Sequence, residues 1–183
     1  MRWSVLLISL VALGLAGCAS NKVTTIEVES PGAYMLDTGD VLRVTVYGDE
    51  TLTNSYAVTD KGTISLPLAG QVAVRGQSLV TVERMIREVL ANGYMINPQV
   101  SVEVAAYRPF FIEGAVTASG QYPYVYGMTA RAAVATAGGF AQYAEQRRVT
   151  VYRRLGKTVT KLQLTLDNLI MPGDTVVVAE RWL

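Results

Sequence analysis

Two kinds of side chain in this sequence are arranged so that they could act on a ligand: carboxylates that come in pairs and basic residues that come in a run. Asp49 and Glu50 are the most suggestive acidic pair. Neighbours on an extended chain face opposite ways, whereas glycosidic cleavage needs two carboxyls converging about 5 to 10 Å apart, so these two read as surface turn acids. Pairs distant in the chain, such as Asp60 with Glu103, stay open because spacing in the fold is not set by position in sequence. Imidazole chemistry is excluded. With no histidine and one cysteine, the chain can build no imidazole-dependent triad, no histidine-containing zinc site, no internal disulfide and no cysteine cluster. It also has no glycine-rich phosphate cradle of the Walker or dinucleotide type. The expectation is a non-enzymatic protein without a cofactor or metal.

The basic run is Arg147, Arg148, Arg153, Arg154, Lys157 and Lys161, with no acid between them. In a ring of copies, charges of this kind multiply with subunit number and can line a lumen that attracts acidic sugars. A solvated, edge-protecting hairpin or salt bridges between subunits would use the same residues. Tyr122, Tyr124 and Tyr126 alternate along the chain and can offer flat faces for sugar stacking, although tyrosines so spaced also serve packing and interfaces.

Cys18 follows Val5 to Ala16, an apolar stretch after the positive start Met1-Arg2. A transmembrane helix needs roughly 20 apolar residues. A secretory core needs about 7 to 15, so this one reads as a signal peptide. Leu15-Ala16-Gly17-Cys18 resembles the bacterial lipobox, which implies cleavage before Cys18 and lipidation of its thiol. Ala19, in the position that biases sorting, implies the outer membrane by the same resemblance. Loss of the leader removes Arg2 from a chain with 16 basic and 15 acidic residues, leaving a formally neutral body. Global charge then draws it to neither nucleic acid nor an acidic lipid surface, and acyl chains must provide attachment to the membrane.

The elements that must position these side chains follow from periodicity. Residues 1–17 are the expected leader and 18–33 a lipidated terminus and tether rich in Ser, Thr, Asn and Gly. Leu42, Val44 and Val46 alternate with Arg43 and Thr45 as a half-buried strand. An extended run around Tyr56 to Thr59 meets the turn Asp60-Lys61-Gly62 and is expected to pair with Thr63 to Leu66, which ends at Pro67. Ser78 can cap a helix with Leu79, Val82, Ile86, Val89 and Leu90 on one stripe, stopped by Asn92-Gly93. Val100, Val102 and Val104 form a further strand, entered through an extended Asn97-Pro98. A first unit, 34–107, closes there. The second, 108–183, contains Phe110 to Glu113, a strand carrying Tyr122, Tyr124 and Tyr126 on one face, a short helix capped by Thr129 and ended at Gly138-Gly139, a hairpin from Val149 to Leu164, and Thr175 to Val178 after Pro172-Gly173-Asp174. The fold class is α+β, two small strand-rich units. At this size each core is marginal alone, which favours docking of the two or oligomerisation. An echo links the units: LDTGDVLRVTV from Leu36 and IMPGDTVVV from Ile170 both place Gly-Asp before a valine-rich strand. Glycine supplies positive φ and Asp bonds nearby amides, so Asp40 and Asp174 are assigned structural turn roles.

With these stretches in view, the sequence resembles the outer-membrane polysaccharide export family, the Wza-like lipoproteins. YMLDTGDVLRVTVYGDETL from Tyr34, DKGTISLPLAGQV from Asp60 and NPQVSVEV from Asn97 look like the polysaccharide export domain. FIEGAVTASGQYPY from Phe111, TARAAVATAGGF from Thr129, VTVYRR from Val149 and MPGDTVVVAER from Met171 look like one SLBB domain, a β-grasp variant. Thr38 and Ser119 stand where the family usually has proline, which can loosen two turns.

The resemblance implies a homo-oligomeric ring at the periplasmic side of the outer membrane, serving capsule or exopolysaccharide export as a passive conduit. It also implies an inner-membrane polysaccharide co-polymerase, often coupled to a tyrosine kinase, as partner. Long family members continue into a C-terminal amphipathic pore helix, and this chain stops at Leu183, so a separate outer-membrane β-barrel is expected to carry the glycan across the bilayer. The alternative is an SLBB-type scaffold that binds a soluble glycan or a partner without forming a conduit. A glycan-processing enzyme ranks last.

Overall fold

The computed structural model describes residues 32–181, so the leader, Cys18 and the tether up to residue 31 lie outside the described residues. Strand β1 (Val41–Val46) buries Leu42, Val44 and Val46 and exposes Arg43, as its alternation requires. It is the middle strand of a sheet, antiparallel to β2 (Asp49–Ala57) on one side and to β5 (Val100–Ala106) on the other. Its pairing with β2 slips between Val44 and Val46, where the Thr53 hydroxyl accepts a hydrogen bond from the Val46 N–H at 3.0 Å.

A separate antiparallel hairpin joins β3 (Thr63–Leu66) to β4 (Gly70–Ala73), which corrects the expected pairing. The turn at Asp60-Lys61-Gly62 does form, with the Gly62 N–H donating to the Thr59 carbonyl at 2.9 Å. The ladder of β3 nevertheless goes to β4, and β2 remains an edge strand of its own sheet.

Helix α1 (Leu79–Ala91) starts where Ser78 accepts a bond from the Thr81 N–H and stops at Asn92, followed by Gly93 at φ 99°. Its stripe of Val82, Ile86 and Leu90 is fully buried and packs with Leu36, Leu42, Leu52, Ile64 and Val74 in one core. Each such side chain contributes about 1.5 to 3 kcal/mol by leaving water. Asn97 departs from the expected extended approach: it sits at φ 51°, a left-handed conformation that asparagine tolerates better than most residues.

The second unit is one five-stranded sheet in the order β7 (Gly120–Tyr122), β6 (Phe110–Gly114), β10 (Thr175–Val178), β8 (Arg148–Leu155), β9 (Thr158–Thr165). Its first and last strands, β6 and β10, lie side by side in parallel at the centre, while the remaining pairings are antiparallel. Helix α2 (Ala130–Thr136), capped by the Thr129 hydroxyl, supplies Ala130, Ala133 and Val134 to a core built with Phe110, Ile112, Val149, Val151, Val176 and Val178. This is the β-grasp arrangement within a two-unit α+β fold. Because side chains alternate along each strand, the other face of the sheet carries Phe111, Glu113, Thr150, Tyr152, Arg154, Lys161, Gln163, Thr175 and Val177.

Candidate functional site

Asp40 and Asp174 are 0% and 1% exposed, and each is satisfied by a turn of the same design. The Asp40 carboxylate accepts from the Asp37 N–H at 2.9 Å, and that of Asp174 from the Met171 N–H at 2.7 Å. Each also holds an arginine: Arg108 Nη1 lies 3.1 Å from Asp40 Oδ2, and Arg153 Nη2 lies 2.8 Å from Asp174 Oδ2. The Asp174–Arg153 pair closes within the second unit. The Asp40–Arg108 pair spans the boundary, and the Arg108 backbone N–H adds a bond to Asp40 at 3.0 Å. Both aspartates therefore have the structural turn role their sequence context assigns, with buried ion pairs added.

Arg108 is wedged between the two turns. A Cβ on Gly39 would lie 3.4 Å from Arg108 Cβ, and one on Gly173 only 2.8 Å from Arg108 Nε. These glycines, at φ 92° and 81°, make the approach possible. Tyr34 completes the junction by donating its hydroxyl to Asp40 at 2.7 Å and accepting from Arg108 Nη1 at 2.7 Å. Burial, and then the bond to Asp40, push the Tyr34 hydroxyl well above the ordinary tyrosine range, so it stays protonated. Tyr107 packs edge-on to Tyr34 at 4.9 Å and to Tyr124 at 5.6 Å, and stacks with Tyr126 at 6.1 Å.

The structure separates the residues that the sequence suggested as glycan contacts. Arg153 is a correction. It points to the core side of the sheet and its guanidinium is held by Asp174, whereas Arg148 and Arg154 project from the opposite face. Arg147 is exposed just before β8. The tyrosines are corrected too: β7 ends at Tyr122, and Pro123, which has no N–H to give, follows it. Tyr122 stacks on Phe110 at 6.0 Å and donates to the Ala118 carbonyl, while Tyr124 is buried and donates to the Ile170 carbonyl. Tyr126, 46% exposed, joins the junction cluster, so the three form no common stacking face.

Asp49 and Glu50 border an open depression of about 480 Å³ lined also by Thr45, Tyr47 and Thr53. Asp49 caps its turn, accepting from the Thr51 hydroxyl at 2.6 Å and the Thr51 N–H at 2.8 Å. The Thr51 hydroxyl bond holds its carboxyl below the usual range, opposite to the shift a general acid requires.

Residues 28–105 match the family described as polysaccharide biosynthesis/export protein, and residues 108–178 match the SLBB domain. The chain carries a polysaccharide export domain followed by an SLBB domain. The Asp40–Arg108 pair thus joins the two matched domains, with Arg108 the first residue of the second match. A relative, the exopolysaccharide production protein ExoF of Rhizobium meliloti (strain 1021), is 32% identical over an alignment 118 residues long that covers 58% of this chain and 28% of that protein. The chain therefore spans well under half of that relative's length.

Sequence reasoning missed two things. One is Arg108, whose partner lies far away in the chain. The other is the placing of Phe111 and Tyr152 in one row on the outer sheet face, one strand apart, each beside buried neighbours in its own strand. Among the described residues no helix is long and apolar enough to cross a membrane, a statement that concerns helices alone. No group of three or more His, Cys, Asp or Glu able to hold a metal occurs among them either.

Proposed function

We propose that this chain is a lipid-anchored component of an exopolysaccharide or capsular polysaccharide export apparatus, held at the periplasmic face of the outer membrane through Cys18. Its copies assemble into a ring around a hydrated lumen that guides a flexible glycan passively. The inner-membrane co-polymerase, with or without its tyrosine kinase, delivers the glycan, and a separate β-barrel takes it through the outer membrane. The observation that carries this reading is the succession of the two export-family domains, in family order, clamped to each other by a buried ion pair. A conduit must keep its width, and a desolvated Asp–Arg contact with a fixed hydrogen-bond geometry resists bending at the domain boundary. The lipobox-like Leu15-Ala16-Gly17-Cys18 supports the anchor.

Deletion of the gene tests the role. Surface glycan should vanish while the envelope remains competent to synthesise it, and loss of synthesis itself would contradict a transport function. Metabolic labelling with palmitate should mark the wild-type protein and not Cys18→Ser. If the purified acylated protein alone conducted ions or glycan across a bilayer, the separate barrel would be unnecessary.

A further inference from the structure

The outer face of the five-stranded sheet has an arrangement that neither packing nor charge solubility requires. Strand register places Gln121, Phe111, Thr175, Tyr152 and Lys161 in one row across all five strands. Phe111 and Tyr152 remain 43% and 39% exposed, and one strand separates them. Two strand spacings set the aromatic side chains roughly 10 Å apart. In the neighbouring row the Gln163 amide donates to the Thr150 hydroxyl at 2.9 Å, which orients a polar pair beside Tyr152.

Charge on this face is one-sided. Arg148, Arg154 and Lys161 project from it against Glu113, and none of the three makes an ion pair among the described residues. Arg153, by contrast, is neutralised within the fold. The Lys161 ammonium lies over the Tyr152 ring, 5.9 Å from its centroid, so an acidic group brought to that ring meets a cation.

We propose that this face binds a carboxylate-bearing polysaccharide running across the strands, with Phe111 and Tyr152 stacking on the apolar faces of sugar rings and Lys161 and Arg154 meeting their carboxylates. Two separated aromatic platforms suit a repeating chain better than a single compact ligand, and neighbouring cations that make no ion pair select for acidic sugars over neutral ones. The inference rests on the export reading and names the glycan class and the surface that meets it.

Binding of oligogalacturonate to the full-length protein in detergent, followed by calorimetry and by backbone amide shift mapping, tests the surface, with dextran oligomers of equal length as the neutral probe. The expected result is saturable oligogalacturonate binding that maps to β6, β8, β9 and β10. Phe111→Ser/Tyr152→Ser should weaken it at least tenfold, Lys161→Glu/Arg154→Glu should do the same with a lost salt dependence, and dextran should bind at least tenfold more weakly than oligogalacturonate. Thermal melting of each variant near the wild-type temperature confirms that the exposed substitutions leave the fold intact. Unchanged affinity in both double variants, shifts confined to the Tyr34–Tyr126 junction, or a face protected only by contact with a second copy would overturn the proposal. In cells, normal export by both double variants in a strain whose deletion abolishes export would reject this surface and leave the export role standing.

Discussion

The Gly39-Asp40 and Gly173-Asp174 turns share a layout: a glycine at positive φ, a buried carboxylate, a bond from the N–H three residues earlier, and an arginine salt bridge. They differ in what the arginine belongs to. Arg153 comes from β8, the strand beside β10, and fastens one sheet to its own entering turn. Arg108 comes from across the domain boundary, and Tyr34 and the Arg108 N–H converge on the same carboxylate. The local device buries an acid. Which partner arrives decides whether that acid stabilises a domain or joins two.

The largest test of this comparison is Asp40→Ala, which strips Arg108 and Tyr34 of their shared acceptor. Loss of one member of a buried pair costs about 3 to 5 kcal/mol. Urea denaturation should show that loss, with the two domains melting in separate transitions, whereas Asp174→Ala should destabilise without separating them. A single coincident transition in Asp40→Ala would break the distinction.

Removing the arginines should invert the ranking. Without the Arg153 side chain, Asp174 keeps the Met171 N–H alone among its side-chain bonds, and Arg153→Ala should again cost about 3 to 5 kcal/mol. Without the Arg108 side chain, Asp40 retains Tyr34, the Asp37 N–H and the backbone N–H of residue 108, so the cost should fall to about 1 to 3 kcal/mol. Equal costs in chemical denaturation would mean that the extra donors at Asp40 carry no weight.

The glycines sharpen the picture further. Gly39→Ala and Gly173→Ala both force alanine to positive φ, a strain of at least about 1 kcal/mol. Gly173→Ala should cost more, because its Cβ would also displace the Arg108 guanidinium stem. Melting curves in the Arg108→Ala background check this: the excess at Gly173 should disappear there.

The smallest effect is at alkaline pH. Tyr34 is raised by burial first and by its bond to Asp40 second, so above about pH 10 the unfolded chain releases a proton that the folded chain keeps, and stability falls as pH rises. Below that range this group adds no pH dependence. Tyr34→Phe should reduce the slope of stability against pH above 10. Tyr107 and Tyr124, also raised by burial, keep part of it.

Helix α1 was legible from the Ser78 cap and the Val82, Ile86, Leu90 stripe, because both are local signals that tertiary packing then reinforced. Strand β4 was not, since its hairpin turns at Leu68, a leucine at φ 64°, and Gly70 at φ 72° only closes the bend. The Tyr122, Tyr124, Tyr126 alternation imitated a strand that the Pro123 ring does not extend. The basic run was read as one patch, yet Arg153 and Arg154 point to opposite faces, and period two alone could have divided them. Arg108 could not be found by pattern, because it is isolated in sequence and its function depends on a carboxylate in the other domain. The Gly-Asp echo did identify both acceptors and stayed silent on their donors.

The parallel β6–β10 contact gives the second domain a strict order of completion. Its sheet stays split until Thr175 to Val178 reaches the strand that opened it, so β6 lacks that neighbour until β10 has been made. A chaperone that shields unpaired edges would hold this segment until β10 arrives. Nonsense alleles that end before Thr175 should accumulate as aggregates or be degraded.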